Sequence, residues 1–346
     1  MCVDDGSTDS SPAILSEYAA ADKRVRVVRQ ENRGAGAARN AGIASSNSDY
    51  LVFWDSDDYF DSTALETMYK LCQEKNADVC VCSGKQDMDE GAIVAPAPGY
   101  MKRKYLPETM PFSRFDWETH IFDFTTATVW NKMFKRSFVE AEDLHFTNRR
   151  TAEDVPFVLP ALAMAMRIMV TPKQLINHRV GRPGSLFSEL SANPSEQIDG
   201  WIDARKELEA HHALPVDSFM RKATAAVCSL LLRLNTWESF SKAISLLKEY
   251  GMRELLLDDI REPGFYNAPW QREALRAILE KEPEEVAVML MSLNATASRK
   301  SLARLRAKNR QNSAKSSQSG AKSQNGAKSS KSLKSRVANK VRRLLK

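Results

Sequence analysis

Disulfides, long apolar runs and a secretory leader are all missing from this sequence. Its five cysteines (Cys2, Cys72, Cys80, Cys82 and Cys228) are odd in number and irregularly spaced, which excludes a disulfide framework. Cys80 and Cys82 alternate with Val79 and Val81 as in a buried strand, and no second Cys/His pair stands at zinc spacing. Reduced thiols in a cytoplasmic protein are the expectation. No run of about eighteen apolar residues occurs, so no membrane span is expected. The candidates Ala161–Val170 and Ala225–Leu232 are interrupted or too short. The first ten residues are acidic and polar, the reverse of a secretory leader. Acidic residues are absent from the last stretch: Arg299 to Lys346 holds sixteen Lys or Arg and no Asp or Glu. Without that tail the net charge of +6 becomes −10, so an acidic body carries a basic appendage.

What is present is ordinary for a globular chain of 346 residues, 43% of them hydrophobic. The first ninety residues alternate short strands and helices. Met1-Cys2-Val3 reads as the end of a strand, Pro12 to Ala21 as a helix with Pro at its first turn, and Val25 to Val28 as a strand. A Gly-rich turn then leads into a small-residue helix over Gly34 to Ser46. Tyr50 to Trp54 reads as a strand buried on both faces, Ser62 to Lys75 as a helix, and Asp78 to Ser83 as another strand. This alternation predicts a mostly parallel α/β sheet. Gly91 to Phe115, rich in Pro, reads as a loop or flap. Thr128 to Val139 and Val155 to Met166 look helical, Ile168 to Val170 is a short strand, and 191–292 is mainly helical. Asn312 to Lys331 has the composition of a disordered segment.

In parallel α/β sheets ligands bind beyond the carboxyl ends of the strands. Two of the expected strands end in acid: Asp4-Asp5, and Asp55 with Asp57 and Asp58. Both clusters are therefore expected to face one crevice. Crowded carboxylates at a buried strand end are costly unless something compensates them. A hard divalent cation does so, and could bridge them to a diphosphate. The competing explanation for Asp55-Ser56-Asp57-Asp58 is a helix cap with acidic start residues.

The sequence resembles the inverting glycosyltransferase family 2, which has the GT-A fold. The resemblance is carried, in order and at family spacing, by Val3-Asp4-Asp5-Gly6-Ser7-Thr8-Asp9-Ser10, Gln30-Glu31-Asn32-Arg33-Gly34, Ala38-Arg39-Asn40-Ala41-Gly42-Ile43 and Asp55-Ser56-Asp57-Asp58-Tyr59. It continues through Trp130 to Lys135, Ala152 to Phe157, His178-Arg179 and Gly184-Ser185. It implies a GT-A domain over 1–190, a helical region over 191–297 and a basic tail over 298–346. It also implies a strand, a helix and a half-strand ahead of Val3, so the expected sheet lacks its first strand.

The resemblance implies roles as well. Asp4 or Asp5 would recognise the nucleotide base, since a carboxylate accepts from a ring N–H. Arg39 would lie near the diphosphate or the base, against the alternative of a surface arginine. Asp57 would hold Mn²⁺ or Mg²⁺, Asp58 would support the metal or the loop, and Asp55 would touch the donor sugar. Asp154 would be the general base that takes the acceptor hydroxyl's proton. Its alternative is an ordinary acidic residue of a first helical turn, with Glu153 holding geometry. Arg179 and Arg182 could reach phosphate oxygens or lie on a solvated loop. His178 reads as structural, and Gly34 and Gly36 as giving tight backbone approach.

The implied activity is transfer of a sugar from a nucleotide-diphosphate sugar, uridine being the implied base, to an acceptor hydroxyl with inversion. A glycan or lipid-linked acceptor in cell-surface polysaccharide or cell-wall synthesis is implied. The alternative is a non-catalytic remnant that binds partners or membrane. In the tail, Leu333, Val337, Val341 and Leu344 recur at helical spacing among basic residues, so 332–346 could lie on an anionic membrane at the inner face of the cell membrane. A Lys/Ser-rich linker is the plainer reading, and nucleic acid is not expected because no aromatic residues interleave.

Overall fold

The computed structural model describes residues 1–87, 94–96, 100–179 and 193–293, with the backbone alone at 94–96. Arg182, Gly184-Ser185 and the whole basic tail, including 332–346, lie outside the described residues. Residues 1–290 form one compact unit, and 291–346 a second, of which only 291–293 are described.

The chain opens with β1 (Cys2–Asp5), α1 (Ser11–Ala21), β2 (Val27–Gln30) and α2 (Ala35–Ser45). It continues through β3 (Tyr50–Val52), β4 (Tyr59–Phe60), α3 (Ala64–Lys75), β5 (Val79–Asp87) and β6 (Val94–Pro96). Then come α4 (Arg114–Trp117), β7 (Lys132–Lys135), α5 (Arg136–Ala141), α6 (Val155–Met164) and β8 (Ile168–Arg179). The described remainder is helical: α7 (Pro194–Ala210), α8 (Val216–Arg233), α9 (Trp237–Leu246) and α10 (Pro269–Glu280).

The sheet is mixed, not mostly parallel. β1 and β2 pair in parallel as a two-stranded sheet of their own. The larger sheet runs β3-β7-β5-β8-β4, with β6 on β5. Only β5 and β8 are parallel there; β7 runs antiparallel between β3 and β5, and β4 antiparallel along β8. The difference comes from β7. Val129, Trp130, Met133, Phe134, Phe138 and Val139 recur at three- and four-residue intervals, which imitates a helix. The slot between β3 and β5 nevertheless takes Lys132–Lys135 as a strand, and a helix forms only from Arg136. β8 likewise outruns the three residues expected of it. Its register on β5 shifts at Ser83, beside the polar stretch after Thr171. β3 alternates partly buried and buried residues instead of being buried on both faces.

Two cores flank the large sheet. One gathers Met68, Cys72, Cys80, Cys82, Trp130 and Met133 under α3. The other runs from Phe53 and Phe134 through α6 into α7, α8, α9 and α10 without a break. The helical residues are thus continuous with the sheet's own core. Among the described residues no helix is long and apolar enough to cross a membrane.

Candidate active site

Four phenylalanines make the floor of the site. Phe53 follows β3, Phe134 lies in β7, Phe146 in the loop before α6, and Phe157 in the first turn of α6. Phe53 meets Phe146 edge-on at 4.9 Å and Phe157 at 5.6 Å, while Phe146 and Phe157 stack at 4.2 Å. All four are buried. Burying such a ring is worth about 2–3 kcal/mol, and aromatic pairing adds about 1 kcal/mol. This cluster fixes the strand end that carries Asp55 and the helix start that carries Asp154.

α2 is pressed onto the same floor. A Cβ on Gly36 would stand 2.1 Å from the Thr147 carbonyl oxygen, so only glycine permits the approach. The Asn40 amide locks the contact: its nitrogen donates to the Phe146 carbonyl at 2.8 Å, and its oxygen accepts from the Phe146 N–H at 2.9 Å. One residue earlier, Arg39 lies over the Phe146 ring at 5.4 Å.

Arg39 joins what the sequence keeps far apart. It donates to Asp55 Oδ1 at 2.8 Å and to Glu153 Oε1 at 2.6 Å, across 114 residues in the second case. Its side chain is only 14% exposed. Burial works against its charge, but Asp55 and Glu153, with Asp154 beyond them, more than offset this and raise its pKa. Both arms of the guanidinium are thus engaged by carboxylates. Asp154 has its carboxyl raised to about 7, first by desolvation and then by the charge of Glu153; Arg39 opposes, Asp55 adds and Lys132 opposes. A carboxyl poised near neutrality can take a proton from a hydroxyl and return it to solvent.

Lys132 was not singled out by sequence reasoning. It is fully buried, and donates to the Thr126 and Thr128 carbonyls at 2.9 and 2.6 Å and to Asn131 Oδ1 at 2.8 Å. Burial, and then the charge of Lys222, lower it to about 7. The one available signal was a lysine inside an otherwise apolar run.

The three aspartates after β3 have different environments. Asp55 pairs with Arg39. Asp58 is turned inward, accepting from His178 Nδ1 at 3.0 Å and from the Arg179 N–H at 2.9 Å. His178 is stacked on Trp130 at 5.0 Å. Burial disfavours the imidazolium, but the hydrogen bond and charge of Asp58, with Asp55 and Asp57, outweigh it and raise its pKa. Asp58 thus ties the loop to β8. Asp57, half-buried, has no hydrogen bond or ion pair among the described residues. Among those residues no three His, Cys, Asp or Glu side chains are gathered to hold a metal. One free carboxylate still fits Mg²⁺ or Mn²⁺, which can take its remaining oxygens from phosphates and water. Arg179 lies over Tyr59 at 5.1 Å and donates to its hydroxyl at 3.1 Å.

At the end of β1, Asp5 is engaged through both oxygens. It accepts from Gln30 Nε2 (2.8 Å) and from the N–H groups of Arg33 (2.9 Å) and Gly34 (2.8 Å). It therefore shapes the turn into α2. Asp4 accepts from the Ser7 N–H at 2.9 Å, and its other oxygen lies 3.3 Å from Arg29 Nε. Those Ser7 bonds, and secondarily Arg29, lower its pKa against the effect of desolvation. An open cleft here is lined by Gly6, Arg29, Gln30, Glu31 and Asn32.

Comparison with known proteins bears on the fold and the family. The family model described as glycosyl transferase family 2 matches residues 1–138. The glycosyltransferase EpsJ of Bacillus subtilis, described as uncharacterized, is 28% identical over 80% of this chain and 79% of its own length. The glycosyltransferase GlyG of Streptococcus pneumoniae is 32% identical over 54% of this chain, but the match spans only 62% of GlyG. Among solved structures, residues 1–349 of TarS from S. aureus, in complex with UDP-GlcNAc, superpose with a TM-score of 0.63. That match has 19% identity and covers 85% of this chain and 82% of TarS 1–349, so it speaks for the fold. The chain has the GT-A fold, and its first 138 residues match the glycosyltransferase family 2 model.

Proposed function

We propose that the protein transfers a sugar from a UDP-sugar to a hydroxyl of a glycan or lipid-linked glycan, with inversion, in cell-surface polysaccharide or cell-wall synthesis. The observation that carries this reading is the Arg39 bridge, which draws Asp55 and the Glu153-Asp154 pair into one site. The TarS complex with UDP-GlcNAc supports a nucleotide-sugar donor, and the names of relatives such as the poly(ribitol-phosphate) β-glucosyltransferase of Bacillus spizizenii support a surface-polymer acceptor.

In this reading Asp154 accepts the proton of the acceptor hydroxyl as its oxygen forms the bond to the anomeric carbon. The bond from that carbon to the diphosphate breaks on the opposite face, and UDP departs. Asp55 is oriented by Arg39 toward the donor sugar. Asp4 and the cleft beside Gly6 are the assigned place for the base. Asp57 would hold Mn²⁺ or Mg²⁺, and the ion would neutralise charge on the departing diphosphate. Asp58 acts through the loop it ties to His178. Arg179 is assigned to the phosphates, which requires it to leave Tyr59. The segment 332–346 is assigned to an anionic membrane surface.

The test is calorimetric titration of the full chain with UDP in the presence and absence of Mn²⁺. Affinity should depend on Mn²⁺ and lose that dependence in Asp57→Asn. Equal affinity with and without the ion would refute the assignment of Asp57. No UDP binding under any condition would refute the donor.

A further inference from the structure

The segment that delivers Asp154 to the site is held from outside the sheet. Ala152, two residues before it, has φ of +59°, a left-handed conformation that costs a non-glycine residue about 1–2 kcal/mol. Such a bend persists only where its neighbours enforce it, and here one face of α7 supplies several of them. Glu196 Oε2 accepts from two successive backbone N–H groups, Arg150 at 2.9 Å and Thr151 at 3.0 Å. Arg149 Nε donates to Asp203 Oδ2 at 2.6 Å, and its Nη1 lies 3.7 Å from Asp199. Asp199 is held in turn by the Tyr250 hydroxyl at 2.8 Å. Between these contacts lies Gly200, where a Cβ would stand 2.8 Å from the Ala152 Cβ and 3.0 Å from its carbonyl oxygen. Residues 196, 199, 200 and 203 follow the spacing of a single helix face. The helix therefore meets the bend with a carboxylate for its free N–H groups, a gap for its Cβ and two charges for its arginine.

We propose that α7 is the positioning element of the base, with Glu196 and Gly200 fixing the 149–152 bend that aims Asp154 at the acceptor. The inference rests on the assignment of Asp154 as the base. It gives the helical region a role in the reaction through the bend that carries Asp154.

The test compares Glu196→Ala, Glu196→Gln, Gly200→Ala and Asp154→Asn in the full chain, with UDP release from UDP-GlcNAc and UDP-glucose as readout. Nucleotide affinity is measured in parallel by titration with UDP and Mn²⁺. A misplacement of about 1 Å costs about a hundredfold in rate, so Glu196→Ala and Gly200→Ala should lower kcat about ten- to a hundredfold. UDP affinity should change less than about threefold, because the donor side is untouched. Glu196→Gln keeps an oxygen that accepts both N–H groups and should restore most of the rate. The acid limb of the kcat profile should move to lower pH in Glu196→Ala, as the loosened Asp154 regains water. The groups that otherwise set that limb are Glu153, Arg39, Asp55 and Lys132. Wild-type turnover in Glu196→Ala and Gly200→Ala, with Asp154→Asn inactive, overturns the positioning role and leaves the base assignment standing. A parallel loss of kcat and UDP affinity, unrelieved in Glu196→Gln, overturns it as well by pointing to general destabilisation. Full turnover in Asp154→Asn removes the base assignment and this inference together.

Discussion

Replacing Arg39 by Met keeps the length of the side chain and removes the charge that holds the site together. Two ion pairs are lost, and they are not equal. The Glu153 pair is 2.6 Å long, with side chains 14% and 10% exposed. Breaking a buried pair from one side costs about 3–5 kcal/mol, because the remaining charge stays buried. The Asp55 pair is 2.8 Å long, but Asp55 is 35% exposed, so solvent screening reduces its share to about 0–1 kcal/mol. The loss at pH 8 is therefore about 3–5 kcal/mol, which lowers Tm by roughly 5–8 °C for a unit of this size. It should shrink as pH falls through about 7, where Asp154 takes up its proton and the uncompensated charge drops. Arg39 also lowers the Asp154 pKa, so the acid limb of turnover should move to higher pH in the variant. Urea unfolding of Arg39→Met, Glu153→Gln and the double variant at pH 8 and pH 6 measures this. The double variant should be more stable than Arg39→Met, since it removes the stranded carboxylate. A stability for Arg39→Met within about 0.5 kcal/mol of wild type would mean that the Arg39 charge does not hold the site together.

Other expectations are open to direct measurement. Lys132 and Lys222 are both lowered to about 7 by burial, against 10.5 for a free lysine. The unfolded chain then binds more protons than the folded one between those values, so stability should rise with pH across that window, by up to about 1.4 kcal/mol per pH unit for each lysine. Lys132→Met should flatten part of that slope in urea titrations, and should also move the acid limb of turnover to higher pH, because its charge lowers the Asp154 pKa. Gly36→Ala forces a Cβ into the Thr147 carbonyl and should cost about 3 kcal/mol by thermal unfolding, with loss of turnover as α2 withdraws Arg39. Deleting 332–346 should abolish pelleting with anionic liposomes while leaving UDP release in solution unchanged; retained pelleting would remove the membrane assignment.

The candidate carboxylates stand out in the sequence because their setting is local. Asp55, Asp57 and Asp58 end a strand, and Glu153-Asp154 opens a helix. α1, α2 and α3 were also legible, α1 from Pro12 at its first turn and α2 from the small-residue run after the Gly-rich turn. What joins these pieces was not. Arg39 stands out only through the resemblance, which assigns it to the diphosphate or the base; its bond to Glu153, 114 positions away, has no local signal. Phe146 lies in an irregular loop, so no periodicity marks it as the ring on which Arg39 rests. β7 was hidden by apolar spacing that suits a helix equally well, and with it went two of the antiparallel pairings that make the sheet mixed. The separate roles of Asp57 and Asp58 depend on which of them faces His178, a matter of one residue's rotation at the strand end. The helical region carries no motif because its contribution is a face: a glycine, a glutamate and two aspartates spaced to receive a bend formed elsewhere.

A base at Asp154, held near neutrality by its neighbours, makes kcat depend on pH. With UDP release from the preferred donor as readout and the full chain as enzyme, wild type should show an acid limb centred near pH 7. Asp154→Asn should lose turnover at every pH while still binding UDP. A profile flat from pH 5 to 9, or an Asp154→Asn variant that keeps both rate and profile, would contradict it.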